Sequence, residues 1–329
     1  MTIDIHTHIL PEFMPDWTRK FGYGDFTRLE HHKPCCARMM KGDRFFREIE
    51  SNCWDGNKRI EECNHHGVNI QVLSTIPVLF NYWAKPEHTL EIAKFLNDHI
   101  AETVNRFPDR FMGLGTVPLQ DVEISIDEMQ RCKAIGMKGI QIGSNVNQLN
   151  LGEAQFYPFF EACEEMGMSI FVHPWEMMGE EHIQKYWLPW LVGMPAETSR
   201  AICSMMFSGL FEKLPDLRIA FAHGGGSFPF TFGRIAHGYD CRPDLVAVDN
   251  LIHPSQHKGK FYVDSLVHSK EALDFLIKFM GDDAVCLGSD YPFPLGETHP
   301  GKLIRENIPE PQKLEKLLSR NAMRWLGIE

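Results

Sequence analysis

The sequence predicts a closed (β/α)8 barrel of the α/β class, a TIM barrel with long insertions after its first and fifth strands. Three observations carry that prediction. Eight short apolar runs alternate with eight longer amphipathic stretches, the pattern of a parallel sheet whose strands are each followed by a helix. The 329 residues suit such a barrel, which needs about 250 before insertions. No G-x-G-x-x-G follows the first run, so the start of a dinucleotide-binding, doubly wound sheet is absent.

Taken in order, the strands are expected at Thr2–Ile5, Asn69–Ser74, Phe111–Thr116, Lys138–Ile142, Ser169–Val172, Arg218–Ala222, Lys260–Val263 and Val285–Gly288. Each is short, apolar and rich in β-branched or aromatic residues, as strands buried on both faces must be. The helices are expected at Gly56–His66, Pro86–Phe107, Glu123–Ile135, Glu153–Met166, Ala196–Leu214, Phe228–Tyr239, Lys270–Met280 and Pro311–Trp325. The insertions are Leu10–Asp55, rich in aromatics, His and Arg, and Pro174–Pro195, which holds Trp175, Tyr186, Trp187 and Trp190. Both lie on the face that follows strand C-termini, where barrel enzymes carry their chemistry. With no repeat, linker or low-complexity tract, residues 1–329 read as one domain.

Composition excludes several classes. The net charge is −11, from 33 basic and 44 acidic residues. With no basic run or stripe, nucleic acid and anionic membrane surfaces are not expected partners. No apolar run reaches the roughly 18 residues of a membrane helix. The opening Met1-Thr-Ile-Asp-Ile-His6 has neither the charged nor the apolar region of a signal peptide. Nine cysteines without a C-x-x-C pair suggest a reducing compartment. The expected location is cytoplasmic.

Polar residues mark the strand ends. His6-Thr-His8 closes the first strand, and residues at i and i+2 of an extended segment point the same way. Alone, H-x-H is a weak signal. Here His173 ends the fifth strand, His223 the sixth and Asp290 the eighth. Imidazoles and a carboxylate arriving together fit a Zn²⁺ site with an open position for water. His31-His32 and His65-His66 follow no predicted barrel strand and read as surface or structural. The run Gly224-Gly-Gly226 lacks a following Lys-Ser/Thr, so it reads as a close backbone approach rather than a phosphate loop.

This layout resembles the amidohydrolase superfamily: H-x-H after strand one, His after strands five and six, Asp after strand eight. Members with two metals also need a carboxylated Lys or an acid at the end of strand four. That strand ends Gln141-Ile-Gly143 here, and Lys138 sits at its other end, so one metal per chain is expected. Within the superfamily the chain resembles the 2-amino-3-carboxymuconate-6-semialdehyde decarboxylase family over nearly its whole length. The resemblance is densest in Ile3-Asp-Ile-His-Thr-His-Ile-Leu-Pro11, Phe171-Val-His-Pro-Trp175, Tyr186-Trp-Leu-Pro-Trp-Leu-Val-Gly-Met-Pro-Ala-Glu-Thr198, Ala222-His-Gly-Gly-Gly-Ser-Phe-Pro-Phe230 and Gly288-Ser-Asp-Tyr-Pro-Phe-Pro-Leu-Gly-Glu297. Glu176 departs from the family's Asp.

The resemblance implies a zinc-dependent, non-oxidative decarboxylase of tryptophan–kynurenine catabolism. It would act on a small dicarboxylate, with His6, His8, His173 and Asp290 holding the metal and His223 moving the proton. It also implies that Arg47 binds a substrate carboxylate, that Arg234 completes the neighbouring site in a homodimer, and that Trp190, Met177 and Phe293 form the apolar wall. Arg44 and Lys41 lie close enough to Arg47 to be confused with it. The rivals are a hydroxybenzoate or related muconate-semialdehyde decarboxylase, a metal-dependent hydrolase of a lactone or cyclic amide, and a catalytically dead barrel used as a scaffold.

Overall fold

The computed structural model describes residues 1–328. Its main sheet has eight strands hydrogen-bonded in sequence order: β1 (Ile3–Ile9), β2 (Ile70–Thr75), β3 (Phe111–Gly115), β4 (Gly139–Gly143), β5 (Ser169–His173), β6 (Ile219–Phe221), β7 (Tyr262–Asp264) and β8 (Val285–Cys286). All seven adjacent pairings are parallel. The ring closes between β8 and β1, where Ile5 N donates to Leu287 O (2.9 Å) and Asp290 N to His6 O (2.8 Å). This is the expected (β/α)8 barrel.

The main outer helices are α1 (Gly56–His66), α2 (Pro86–Arg106), α3 (Val122–Ala134), α4 (Tyr157–Met166), α5 (Met194–Phe207), α6 (Phe228–Cys241) and α7 (Lys270–Met280). Asp55, Asp121 and Ser269 accept backbone N–H groups at the starts of α1, α3 and α7, satisfying donors that have no partner inside the helix. Gly67 and Gly167 end α1 and α4 in the left-handed conformation, which suits a residue without Cβ. The expected helix Ala196–Leu214 is broken at Gly209, beyond which Leu210–Lys213 forms a separate turn. The expected Pro311–Trp325 is likewise divided, with a π-helical turn at Lys316–Arg320.

No strands were expected within the first insertion. It folds into a three-stranded antiparallel sheet, Thr27–Lys33, Cys36–Lys41 and Arg44–Glu50. Its strands alternate only partly in hydropathy, because apolar residues on one face serve a small core of their own. Phe26, Ala37, Met39 and Ile49 pack there with Leu79 after β2 and with Ile92 and Leu96 of α2. At the opposite end of the barrel Trp325 is fully buried. Its carbonyl accepts from Arg218 Nε (2.9 Å) and its indole donates to Ile170 O (3.3 Å). No helix among the described residues is long and apolar enough to cross a membrane.

Arg59 of α1 ties the insertion to the barrel. It is fully buried and has no carboxylate within ion-pairing distance among the described residues. Its Nη1 donates to His8 O (2.8 Å) and Asn52 O (2.9 Å), and its Nε donates to Gln71 Oε1 (3.1 Å). Its guanidinium also lies 4.7 Å from the Tyr291 ring centre. The Arg59→Met variant would leave three acceptors unpartnered, a loss of roughly 3 kcal/mol or more. Thermal unfolding of the variant should show a clearly lowered midpoint; an unchanged one would mean that other contacts carry this junction.

Candidate metal and substrate site

The side chains at the C-terminal ends of β1, β5 and β8 converge. His6 and His8 lie within β1 and share a face, His173 ends β5, and Asp290 follows β8. One ligand atom from each of these four buried residues lies within 4.8 Å of the others. The β1–β2 register shifts between Asp4 and Thr7, an irregularity of the kind that re-aims side chains beside functional sites. Asp290 has φ 57° and His223 φ 56°, and strain of this kind collects where surrounding structure over-determines a site.

Each cluster imidazole is anchored through Nδ1. His6 Nδ1 lies 2.6 Å from Asp264 Oδ2, His8 Nδ1 2.9 Å from Thr75 O, and His173 Nδ1 2.9 Å from Pro174 O. All three partners accept hydrogen bonds, so the proton belongs on Nδ1 and the lone pair on Nε2. His6 Nε2 and His173 Nε2 are buried without a hydrogen-bond partner. His8 Nε2 lies 3.1 Å from Asp290 Oδ1. Buried acceptors with no donor are costly, and a shared cation satisfies all four at once. The residues fit a metal ion.

The electrostatics are divided: His8, His173 and Asp290 are held in the forms that bind a cation, whereas its carboxylate neighbours pull His6 toward protonation. Burial pushes His8 and His173 down, adjacent imidazoles adding to the effect on His173. Burial opposes ionisation of Asp290, but the close approach of His8 Nε2 (3.1 Å) and the surrounding imidazoles hold it well below the usual carboxylate range. Burial also works against His6 holding a proton; the Asp264 hydrogen bond and the Asp290 charge outweigh it and raise His6. His223 sits beside the cluster, its ring centre 5.1 Å from that of His173 and 5.2 Å from that of His6. Burial lowers it to about 4. Its ring makes no hydrogen bond among the described residues, so a neutral imidazole faces the cavity with free acceptor capacity.

A cavity of about 370 Å³ opens over the cluster. Its walls include His8, His173, His223 and Asp290, and Arg47 is its one Arg or Lys among the described residues. The guanidinium lies over the rings of Phe293 (4.4 Å), Phe46 (5.0 Å) and Trp190 (5.9 Å). It has no ion-pair or hydrogen-bond partner among the described residues, and burial pushes its pKa down. Stacking on rings is worth about 0.5–2 kcal/mol, and it uses the faces of the guanidinium. The N–H edges stay free for a carboxylate, for which a charge-assisted hydrogen bond adds about 1.5–3 kcal/mol.

Local irregularity explains why Arg47 and Phe46 both line the cavity. Neighbours on a regular strand face opposite ways. Here Met39 pairs with Arg47 and Met40 with Phe45, leaving Phe46 as an extra residue in a bulge. Arg44 is exposed on the same strand, and neither it nor Lys41 lines the cavity.

Trp190 and Phe293 line the cavity, as expected. Met177 does not line it. Met177 is buried and fills the space beside Gly193, where an added Cβ would lie 2.9 Å from Met177 Cγ. Its place on the wall is taken by Trp187 and Leu191 of the same insertion. Arg234 is exposed on α6, away from its own cavity.

Asp264 was not anticipated. Its Oδ2 also accepts from His223 N (2.8 Å), and its Oδ1 accepts from Gly224 N (2.8 Å) and Leu266 N (3.1 Å). It ends β7 as Asp290 follows β8, so its strand-end position was the available signal. His268, with φ 61°, also lines the cavity; its sequence surroundings offer no comparable cue. The three glycines after His223 pack closely against neighbours: a Cβ on Gly226 would fall 2.3 Å from Pro195 O.

The comparisons agree with this geometry. The amidohydrolase family profile matches residues 3–328. The 2-amino-3-carboxymuconate-6-semialdehyde decarboxylase of Dictyostelium discoideum is 56% identical over 332 residues, covering 100% of this chain and 92% of the relative. The enzyme of the same name from Caenorhabditis elegans is 39% identical over 378 residues, covering 99% and 94%. In fold, the chain is similar to Metarhizium anisopliae IDCase in apo form, with TM-score 0.86, 22% identity and coverage of 100% and 97%. It is also similar to dihydroxybenzoic acid decarboxylase from Polaromonas sp. JS666, solved with manganese and 2-nitroresorcinol, with TM-score 0.80, 21% identity and coverage of 99% and 97%. With its strand-end metal cluster and full-length relatives, this chain belongs to the amidohydrolase family and, within it, to the family of the 2-amino-3-carboxymuconate-6-semialdehyde decarboxylases.

Proposed function

We propose that this chain catalyses the non-oxidative decarboxylation of 2-amino-3-carboxymuconate-6-semialdehyde to 2-aminomuconate-6-semialdehyde, a step of tryptophan–kynurenine catabolism, with one zinc ion per chain. The observation that carries the reading is one cavity that opens over a four-residue cation site and is lined by the His223 imidazole and by the Arg47 guanidinium, which has no counter-ion among the described residues. Three imidazoles and one carboxylate suit zinc. When bound there, the metal supplies Lewis acidity that brings a water molecule's pKa near 7.

The chain's own residues account for the rest. His6, His8 and His173 present Nε2, and Asp290 a carboxylate oxygen, to the ion. The ring of His223, neutral at physiological pH, takes a proton from water and passes it to the substrate carbon as the C–C bond to the departing CO₂ breaks, and the hydroxide left behind regains a proton from solvent. Arg47 grips one substrate carboxylate bidentately. Phe46, Trp190 and Phe293 exclude water around it and order the conjugated chain. The assay follows loss of the substrate's long-wavelength absorbance together with released CO₂. Alkali consumption without CO₂ would mark a hydrolase instead.

A dicarboxylate brings two negative charges, and Arg47 is a single fixed cation. Arg234 of a second copy supplies the other in our reading. It lies one turn beyond Phe230, which is 85% exposed and whose ring centre lies 6.2 Å from that of Phe275, itself 42% exposed. That exposed aromatic pair, Phe230 from α6 and Phe275 from α7, is an apolar patch of the kind that marks an interface, and a homodimer formed there would carry the guanidinium across to the neighbouring cavity.

Three outcomes test the reading. Purified protein should carry about one zinc per chain by elemental analysis, and His173→Ala should lose both metal and activity; two tightly held ions per active chain would contradict a mononuclear site. His223→Ala should keep its zinc and lose about a hundredfold in turnover, whereas loss of the metal would make His223 a ligand. Mixing the inactive Arg234→Ala and His223→Ala proteins should restore partial activity, since one site of a mixed dimer escapes both defects. Mixed dimers confirmed by mass but without activity would place Arg234's role within its own chain.

A further inference from the structure

Cys35 lies in the tight turn between the first two strands of the inserted sheet, and Cys36 begins the second of them. Both are free thiols, Cys35 exposed and Cys36 buried, and their sulfurs lie 3.2 Å apart. Cys35 lines a surface groove of about 590 Å³ whose walls include Trp54, His99 and Arg106 together with the acidic Glu12 and Asp55. We propose that Cys35 and Cys36 form a redox-modification site that closes reversibly to a vicinal disulfide under a low-molecular-weight disulfide such as oxidised glutathione.

The atoms balance in two exchanges. The Cys35 thiolate attacks one sulfur of the oxidant, whose S–S bond breaks and releases one glutathione thiolate. Cys36 then gives its proton to water and attacks the Cys35 sulfur of the mixed disulfide, expelling the second glutathione. Two protein thiols are oxidised and one disulfide is reduced to two thiols. The second exchange is intramolecular, with the attacking sulfur already in contact, so it outruns attack by outside thiol.

Geometry also makes the closed ring reversible. Bonded sulfurs sit about 2.05 Å apart, so the two must approach by a little over an ångström. Adjacent Cα atoms are about 3.8 Å apart, below the roughly 4.4 Å minimum of relaxed disulfides. The ring is therefore strained, and strained disulfides have the more oxidising potentials and reopen readily.

Closure has a route to the pocket. The linking peptide is held by Ser51 N, which donates to Cys35 O (2.9 Å), and Cys36 pairs with Glu50. Both partners lie on or directly after the strand that carries Arg47, and Arg47 itself pairs with Met39 of the Cys36 strand. Twisting that peptide loosens the mount of Arg47. This coupling rests on the carboxylate-binding reading of Arg47.

The test incubates metal-loaded, full-length protein with oxidised glutathione and maps its peptides by mass. The expected result is loss of two hydrogens in the peptide spanning Pro34 to Cys36, without adduct and reversed by dithiothreitol. Cys35→Ser should abolish the change, and replacing the other exposed cysteine, Cys241→Ser, should not. Steady-state kinetics of the oxidised protein should show KM raised about threefold or more with kcat nearly unchanged, the signature of lost ground-state binding. A lasting glutathione adduct on Cys35, or no change at this peptide while other cysteines react, overturns the site. If the ring forms and KM stays at its reduced value while Arg47→Met raises KM, the coupling is overturned. If Arg47→Met leaves KM unchanged, the reading of Arg47 fails and the mass result alone decides the disulfide.

Discussion

The carboxylate of Asp264 is the constraint on which the rest of the site depends. It is fully buried, and a bare carboxylate there would be prohibitively costly. Burial opposes its ionisation, yet the His6 hydrogen bond and nearby imidazole charges, with backbone N–H groups adding to them, hold it below the usual range. One group thereby sets two features. Its Oδ2 fixes the His6 tautomer, turning Nε2 toward the cation site, and also accepts from His223 N. Its Oδ1 accepts from Gly224 N. The turn that presents His223 with positive φ is thus pinned by the same residue that orients a cluster imidazole. Outer partners of this kind commonly raise ligand basicity and fix ring orientation.

The inserted sheet solves a different problem. A guanidinium meant to receive a carboxylate must be held without a resident counter-ion, or that ion would compete with the substrate. Here aromatic faces do the holding: Phe293 from the β8 loop, Phe46 from the bulge and Trp190 from the second insertion. Each comes from a different segment, so Arg47 is positioned only when both insertions and the barrel are assembled. The small core beneath the sheet gives this arrangement a rigid base. Arg47 itself therefore stands on a packed strand, and two further segments supply the rings that hold its guanidinium.

Arg59 joins these two parts. Its bonds reach the backbone of His8, the loop at Asn52 and the barrel interior at Gln71, and its face meets Tyr291, the neighbour of Asp290. A cation buried without an anion is unusual. Here delocalised charge, three acceptors and one ring take the place of a counter-ion, as guanidinium chemistry allows better than ammonium.

The sequence by itself determined the barrel and the cation cluster. Apolar runs of period-independent hydropathy specify strands buried on both faces, and a parallel strand in a barrel ends at the catalytic face, so His6, His8, His173, His223 and Asp290 could be placed at that face from position along the chain, while the division into four cation ligands and one proton carrier came with the resemblance. Arg47 became legible only through resemblance, since one charged residue in an insertion with several others has no local signature. Tertiary structure decided the remainder. Met177 and Trp187 lie in one insertion, and which of them faces the cavity depends on how that segment folds over Gly193, a long-range packing choice. Asp264 carries no cue beyond its strand end, because its role arises from contacts with residues 258, 41 and 40 positions away. The inserted sheet stayed hidden for a related reason: its strands bury one face against distant α2, and local hydropathy does not record a partner that arrives only on folding.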